Sequence, residues 1–311
     1  MLLSKAKIHW LDLRGLGVSA MERLLLEEFL LRHDDRSWAV VGTHEPLAHR
    51  YLTLPQKASC IIVMGIGGKP EKLLNIAKVK EDEIMVLKRF SGGGTVVLDH
   101  NSLWTTWIGR TKDFPHIESY PRPIMQWSAN TAFGPAFAKL KEEALVLSTQ
   151  GRKTLVVDSK SCGTDNSGNM YSLPSDAPPQ DIPDFALREH DYVLGERKMG
   201  GNAQSIVKDG WLHHTSFLWD YYPENMAYLT LPSKRPDYRG DRDHDDFLAK
   251  LKDVYPGLQP RHFFSALKRA SQDEFDVEAV TLNEAMALVD DKFGSLQNWF
   301  DTKCRTRVVE L

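Results

Sequence analysis

The stretch Ile84-Met85-Val86-Leu87-Lys88-Arg89-Phe90-Ser91-Gly92-Gly93-Gly94-Thr95-Val96-Val97-Leu98 reads as a strand, a glycine loop and a second strand. Three consecutive glycines after a strand let the backbone approach a ligand with no Cβ in the way. Successive N–H groups in such a turn can converge on an anion. Arg89 adds a forked cation suited to phosphate. This is not the Walker pattern, because no Gly-Lys-Ser/Thr closes it. Taken alone, the same letters also write a flexible hairpin turn.

Working outward, strands are expected at Trp38 to Val41, Cys60 to Met64, Thr95 to Leu98 and Leu103 to Ile108. The last alternates Leu103, Thr105 and Trp107 against Trp104, Thr106 and Ile108, as a strand with two different faces would. Ser19-Ala20-Met21-Glu22 is a capping box, and the run to Arg32 after it is apolar nearly all round, which predicts a buried helix. Further helices are expected from Pro123 to about Lys141, near His262 to Ala270 and from Leu282 to Lys292. Asp209-Gly210 between apolar runs predicts a hairpin. Strands come in runs rather than in βαβ alternation, so the chain is expected to be α+β, a mixed sheet flanked by helices. Residues 1–270 form the expected main domain and 271–311 a C-terminal helical extension. Ser148 to Pro183, rich in Ser, Gly, Asp, Asn and Pro, is expected to be a mobile surface insertion. Lys234 to Asp246 is expected to be an exposed, charged crossover.

The 311 residues are 42% hydrophobic and 26% charged, which excludes a wholly disordered or fibrous chain. With 39 Lys and Arg against 42 Asp and Glu, the formal charge is −3. That balance argues for neither a nucleic-acid nor a membrane surface. No apolar run reaches the ~18 residues of a membrane span. The three cysteines, Cys60, Cys162 and Cys304, are scattered, which suits a reducing compartment better than a disulfide framework. No targeting segment is visible, so a cytoplasmic location is expected, with a mitochondrion or plastid as the alternative.

Other chemistry-bearing residues lie downstream. Lys198 sits between the turn Gly195-Glu196-Arg197 and the pair Gly200-Gly201, where it could reach across a pocket built by the first loop. Asn202 and Gln204 alternate on one strand face and could bond a ligand carboxylate or amide. His213 and His214 are strand neighbours, so they point to opposite faces and cannot jointly hold one metal. Asp191 is a possible Mg²⁺ carboxylate. Each residue has a plainer reading: a solvated lysine, surface amides, a hydrogen-bonded core histidine, a loop-end acid.

Together these signals are more specific. Arg89, Ser91, Gly92, Gly93, Gly94, Val96 and Asp99, then Lys198, Gly201 and Ala203, then His213-His214, resemble the motifs of the lipoate–protein ligase family within the biotin/lipoate ligase superfamily. The family's His-His-Gly-Thr is met only in part, since Thr215-Ser216 follow the histidines. Met64-Gly65-Ile66-Gly67 resembles the family's first glycine turn, and the whole chain is similar to a plant-type branch. The resemblance implies a catalytic domain like those of biotin synthetases and class II aminoacyl-tRNA synthetases. It implies that lipoate or octanoate is joined to ATP, with Mg²⁺, to give the acyl-adenylate (lipoyl-AMP). The acyl group then passes to a lysine of a lipoyl-domain acceptor protein. It casts Lys198 and Arg89 as catalytic cations. It casts Ser91, Gly92, Gly93, Gly94, Asp191, Gly201, Asn202, Ala203, Gln204, His213 and His214 as cofactor-binding residues, with Asp191 toward the metal. Trp104 and Trp107 are apolar enough to line an acyl tunnel, or simply to pack in the sheet. The expected partners are lipoyl domains and a small-molecule acyl substrate, with no nucleic acid and no membrane, and the expected state is a monomer. Two other readings stay open: an ATP-independent lipoyl or octanoyl acyltransferase, with Cys162 as a candidate thiol, and a non-catalytic binder of lipoyl domains.

Overall fold

A computed structural model describes residues 5–44, 49–54, 60–158, 181–230 and 236–311, excepting the side chains of 149–158. The strands are β1 (Lys7–Asp12), β2 (Trp38–Thr43), β3 (Ile61–Met64), β4 (Met85–Lys88), β5 (Val96–Leu98), β6 (Ser102–Arg110), β7 (Phe185–Arg188), β8 (Asp191–Leu194), β9 (Arg197–Val207), β10 (Gly210–Leu218), β11 (Asp276–Val280) and β12 (Arg307–Val308). The helices are α1 (Ala20–His33), α2 (Pro70–Leu73), α3 (Ile76–Glu81), α4 (Pro121–Ser128), α5 (Gly134–Asp158), α6 (His244–Phe247), α7 (Leu251–Val254), α8 (Pro260–Glu274), α9 (Leu282–Phe293) and α10 (Leu296–Thr302). A π-turn, Ala129–Phe133, joins α4 to α5.

Among the described residues an eight-stranded mixed sheet runs β11-β1-β2-β6-β10-β9-β8-β7, and a four-stranded sheet runs β12-β4-β3-β5. One face of the large sheet is closed by α4, α5 and α8, through an aromatic core that includes Trp107, Phe133, Phe137, Tyr192, Phe217 and Phe263. The other face is covered by α1, which lies between the large sheet, the small sheet and α9–α10. That position explains a helix buried on every side from Ala20 to Leu31, its four charged residues there included. Its start is fixed by the expected capping box: Ser19 Oγ accepts from Glu22 N at 3.2 Å, and Glu22 Oε2 accepts from Ser19 N at 2.9 Å.

The small sheet presents the glycine loop. Strand β4 leads into Arg89, β5 leaves after Thr95, and both flank β3. The first glycine turn packs against that loop. Ile66 N donates to Ser91 O at 2.9 Å, and a Cβ on Gly65 would collide with the carbonyl of Gly93. Gly65→Ala should therefore cost ~1–3 kcal/mol in urea unfolding by forcing the two turns apart. Gly94→Ala, where a Cβ meets open space, should unfold close to the parent.

Two expectations are corrected, and a third is met with one exception. Helix α5 continues to Asp158, so 148–158 are helical rather than the opening of a mobile insertion. Residues 159–180, with Cys162, lie outside the described residues. The chain after 270 is not helix alone. Asp276–Val280 adds an edge strand parallel to β1, and Arg307–Val308 pairs with β4. Both strands are too short, and the first too exposed, to write an apolar run. Finally, the charged segment is largely exposed over its described part, 236–246, as expected, but it is tied down at one cation. Arg239 is buried and donates to Arg242 O, while Arg242 donates back to Arg239 O and to Tyr238 O.

Candidate active site

The site lies where the glycine loop meets β9. Strand β8 pairs with β9 only as far as Gly200, so 201–207 leave an edge that β8 does not reach. The glycine loop takes part of that edge: Gly92 N donates to Gln204 O at 2.8 Å. A Cβ on Gly93 would sit 2.7 Å from Asn202 O, and the residue has φ +97°, so only glycine fits this approach. A cavity of about 720 Å³ wraps around the remaining edge. One end is largely apolar, lined by Leu24, Val63, Val96 and Trp104. The other is polar, lined by Asp191, Lys198, His190, Glu189 and Asp237.

A β-bulge aims Lys198. The β8–β9 pairing shifts between Tyr192 and Val193, with Tyr192 opposite Gly200 and Val193 opposite Lys198. The extra residue, Met199, moves Lys198 onto the sheet face shared by Gly201 and Ala203 instead of that of Gly200 and Asn202. Lys198 Nζ then lies 2.7 Å from Asp191 Oδ1. The other carboxylate oxygen, Oδ2, accepts from Tyr238 Oη at 2.9 Å. Asp191 is buried, whereas the Lys198 side chain keeps 28% exposure, enough for the ammonium to meet a ligand in the cavity.

Of the residues expected at a site, Arg89, Gly93, Gly94, Asp191, Lys198, Gly201, Asn202, Ala203, Gln204 and His214 line this one cavity. Three lie outside its lining. Ser91 is fully buried and accepts from Arg89 Nε at 3.0 Å, and Gly92 is tied to Gln204. His213 is fully buried on the helix-covered face. Its Nδ1 accepts from Gln204 Nε2 at 2.9 Å, which leaves the proton on Nε2 toward Tyr192 Oη at 3.1 Å. Asn202 and Gln204 face this same side, where Thr215 Oγ1 donates to Asn202 Oδ1 at 3.0 Å. One end of each amide is therefore engaged within the sheet. Trp104 lines the cavity, while Trp107 packs in the aromatic core against Trp127.

Arg89 also differs from expectation. Its guanidinium donates to Val63 O, Ser91 Oγ, Gly92 O and Gly94 O at 2.8–3.2 Å, so it braces the loop instead of offering an open fork. All four acceptors are uncharged. Burial lowers its pKa to about 10, still far above neutrality, so a full positive charge stands behind the cavity wall.

The sequence reading missed the groups behind His214. Arg23 and Glu27 are one helical turn apart on α1 and fully buried. Glu27 Oε1 accepts from Arg23 Nε at 2.7 Å, and Glu27 Oε2 lies 3.2 Å from His214 Nδ1. Arg23 also lies over the Trp104 ring at 4.7 Å. The signal was present: charges four apart in a helix expected to be buried must find partners.

The buried histidines make stability acid-sensitive. Burial, with a contribution from His214, lowers the His213 pKa to about 3. Burial, with a contribution from His100, lowers that of His44 to about 4. The unfolded chain binds these protons near 6.5, so the stabilisation is complete above 6.5 and is lost as pH falls toward those values. Urea unfolding at pH 7 and pH 5 should differ by up to about 2 kcal/mol for each histidine.

For a nucleotide-carried Mg²⁺, the donor set offers little that is ready-made. Both Asp191 oxygens are engaged, and among the described residues no group of three His, Cys, Asp or Glu side chains could hold a metal. The described residues therefore do not form a metal cage.

Comparison with known proteins shows the family and the fold. The model of the lipoyl protein ligase A/B catalytic domain matches residues 19–272. A Plasmodium falciparum protein named inactive lipoate–protein ligase 2 is 30% identical over 206 residues, 61% of this chain but 47% of that protein. The match thus spans about half the length of that relative. Two solved structures share the fold. The Thermoplasma acidophilum protein Ta0514 with bound lipoic acid superposes with a TM-score of 0.58 at 16% identity, over 93% of this chain and 95% of that one. Lipoate-protein ligase A bound with ATP does so with a TM-score of 0.55 at 17% identity, over 95% and 98%.

Proposed function

The chain belongs to the lipoyl protein ligase A/B catalytic domain family, and on that premise we propose that it is a lipoate–protein ligase. In this reading it activates lipoate or octanoate with ATP and passes the acyl group to a lysine of a lipoyl domain. The observation that carries it is the single cavity with an apolar end at Trp104 and a cation, Lys198, at its polar end. In the first step a carboxylate oxygen bonds to the α-phosphorus of ATP and pyrophosphate leaves. In the second the acceptor amine bonds to the acyl carbon, AMP leaves and the amine loses a proton. Negative charge gathers on carboxyl and phosphate oxygens in both. A cation placed in advance, backed by a buried carboxylate, stabilises that charge without reorganising. Lys198 supplies it, Arg89 adds its field from behind the glycine loop, and Gly93 lets the backbone come close. Mg²⁺ would arrive with the nucleotide's phosphates.

One observation favours a second reading. The 30%-identical relative is named inactive, so a chain that binds lipoate or lipoyl domains without catalysis is the alternative. Incubating a purified lipoyl domain with the protein, lipoate and ATP, then weighing the intact domain, separates them. The ligase reading expects one added lipoyl group, dependent on ATP. Lipoate binding without any transfer supports the binder, and transfer from an acyl carrier without ATP supports the acyltransferase.

A further inference from the structure

Residues 236–249 fold back over the polar end of the cavity, and their contacts converge on Asp191 and Lys198. Tyr238 Oη donates to Asp191 Oδ2 at 2.9 Å, on the carboxylate whose other oxygen holds Lys198 Nζ at 2.7 Å. At the far end of the segment, Ala249 N donates to Lys198 O at 2.8 Å, and Leu248 bridges Lys198 in parallel. The Tyr238 ring has two neighbours: Arg188 lies over it at 4.6 Å from its centroid, and the Phe247 ring is 5.3 Å away. Its backbone is fixed too, since Glu189 accepts from Asp237 N at 3.2 Å and from Tyr238 N at 3.1 Å. So many restraints on one partly exposed tyrosine hold its hydroxyl at one point, the outer oxygen of Asp191.

We propose that Tyr238 is a positioning residue that sets the aim of Lys198 by fixing the Asp191 carboxylate. A carboxylate held by one oxygen alone can rotate about its side-chain bonds and carry its partner with it. Held by both, it keeps the ammonium at the cavity mouth. When Lys198 engages an acyl or phosphate oxygen, Tyr238 keeps Asp191 hydrogen-bonded, so the carboxylate need not follow. The segment also ties the Lys198 backbone through Ala249, so the aim is set at both ends of the residue. This inference rests on the ligase reading for what Lys198 does, but not for where Lys198 is held.

The test is a double-mutant cycle of Tyr238→Phe and Asp191→Asn with two readouts. The first needs no activity: the rate at which an amine-directed reagent modifies Lys198 in the ligand-free protein, read by peptide mass spectrometry. Tyr238→Phe should raise that rate about threefold. Asp191→Asn should raise it at least as much, and the double variant no further. The second is acyl transfer to a lipoyl domain, where Tyr238→Phe should lower kcat about three- to tenfold with little change in KM for ATP. Unchanged Lys198 labelling in Tyr238→Phe, or additive effects in the cycle, overturns the proposal. Altered labelling together with no acylation by the parent upholds the positioning role and refutes the ligase reading instead.

Discussion

Lys198→Ala should lower acylation of a lipoyl domain by a factor on the order of 10²–10³, or ~3–4 kcal/mol of transition-state stabilisation. The expectation follows from position: the ammonium stands at the polar end of the cavity, partly exposed and aimed by a bulge. Stability should fall by only ~1–2 kcal/mol, because Asp191 keeps its bond from Tyr238 when its ionic partner is removed. Lys198→Arg should rescue poorly, since a planar fork on a longer stem does not replace a compact ammonium beside Asp191. The pair of variants, assayed for transfer and for binding of a non-hydrolysable lipoyl-adenylate analogue, checks this. Near-parental turnover in Lys198→Ala would reduce the residue to an ordinary ion-paired lysine.

Glu27→Ala should have the largest effect on stability, ~3–5 kcal/mol. The carboxylate is fully buried between Arg23 and His214. Its loss leaves Arg23 buried, with the carbonyl of Val40 and the face of Trp104 as its remaining described contacts. Thermal unfolding should drop by on the order of 10 °C. Burial alone would raise the Glu27 pKa, but the charges of Arg23 and His214 outweigh it and hold the group at about 2, against 4.5 for an ordinary glutamate. A depressed carboxylate stabilises the fold above its unfolded pKa, and that contribution is lost as pH falls from about 4.5 toward 2. Glu27→Gln should therefore lose less stability than the parent across that acid window. An alanine variant within 1 kcal/mol of the parent would show that Arg23 finds another partner, and the account of this wall of the cavity would fail.

Much of this arrangement is legible from residues alone where the chain writes local signals. The capping box at Ser19, the Asp209-Gly210 hairpin and the strands around the glycine loop all form where expected, because each depends on neighbours in sequence. The inner strand β1 and the edge strand β11 were not foreseen: β11 is mostly exposed and takes its identity from β1 beside it, not from an apolar run of its own. The same holds at the site. Lys198 and the glycines are conspicuous as letters, and they do meet in one cavity. What letters do not show is direction. His213 and His214 differ by one residue, yet one is locked in the core by Gln204 and Tyr192 while the other lines the cavity. Arg89 looks like an open phosphate fork, but its donors are taken by the carbonyls of its own loop. Tyr238 sits 40 residues beyond Lys198 in a segment whose mixed charges read as solvated, and only folding back brings it to Asp191.

In the proposed reaction this cavity joins an acyl carboxylate to a nucleotide under the charge of Lys198. ATP–pyrophosphate exchange, run in parallel with lipoate, octanoate and biotin, tests it most directly. Exchange should require lipoate or octanoate, ignore biotin, and fall on the order of 10²–10³-fold in Lys198→Ala. Absence of exchange with every acid, from a protein that still binds lipoate, would contradict it.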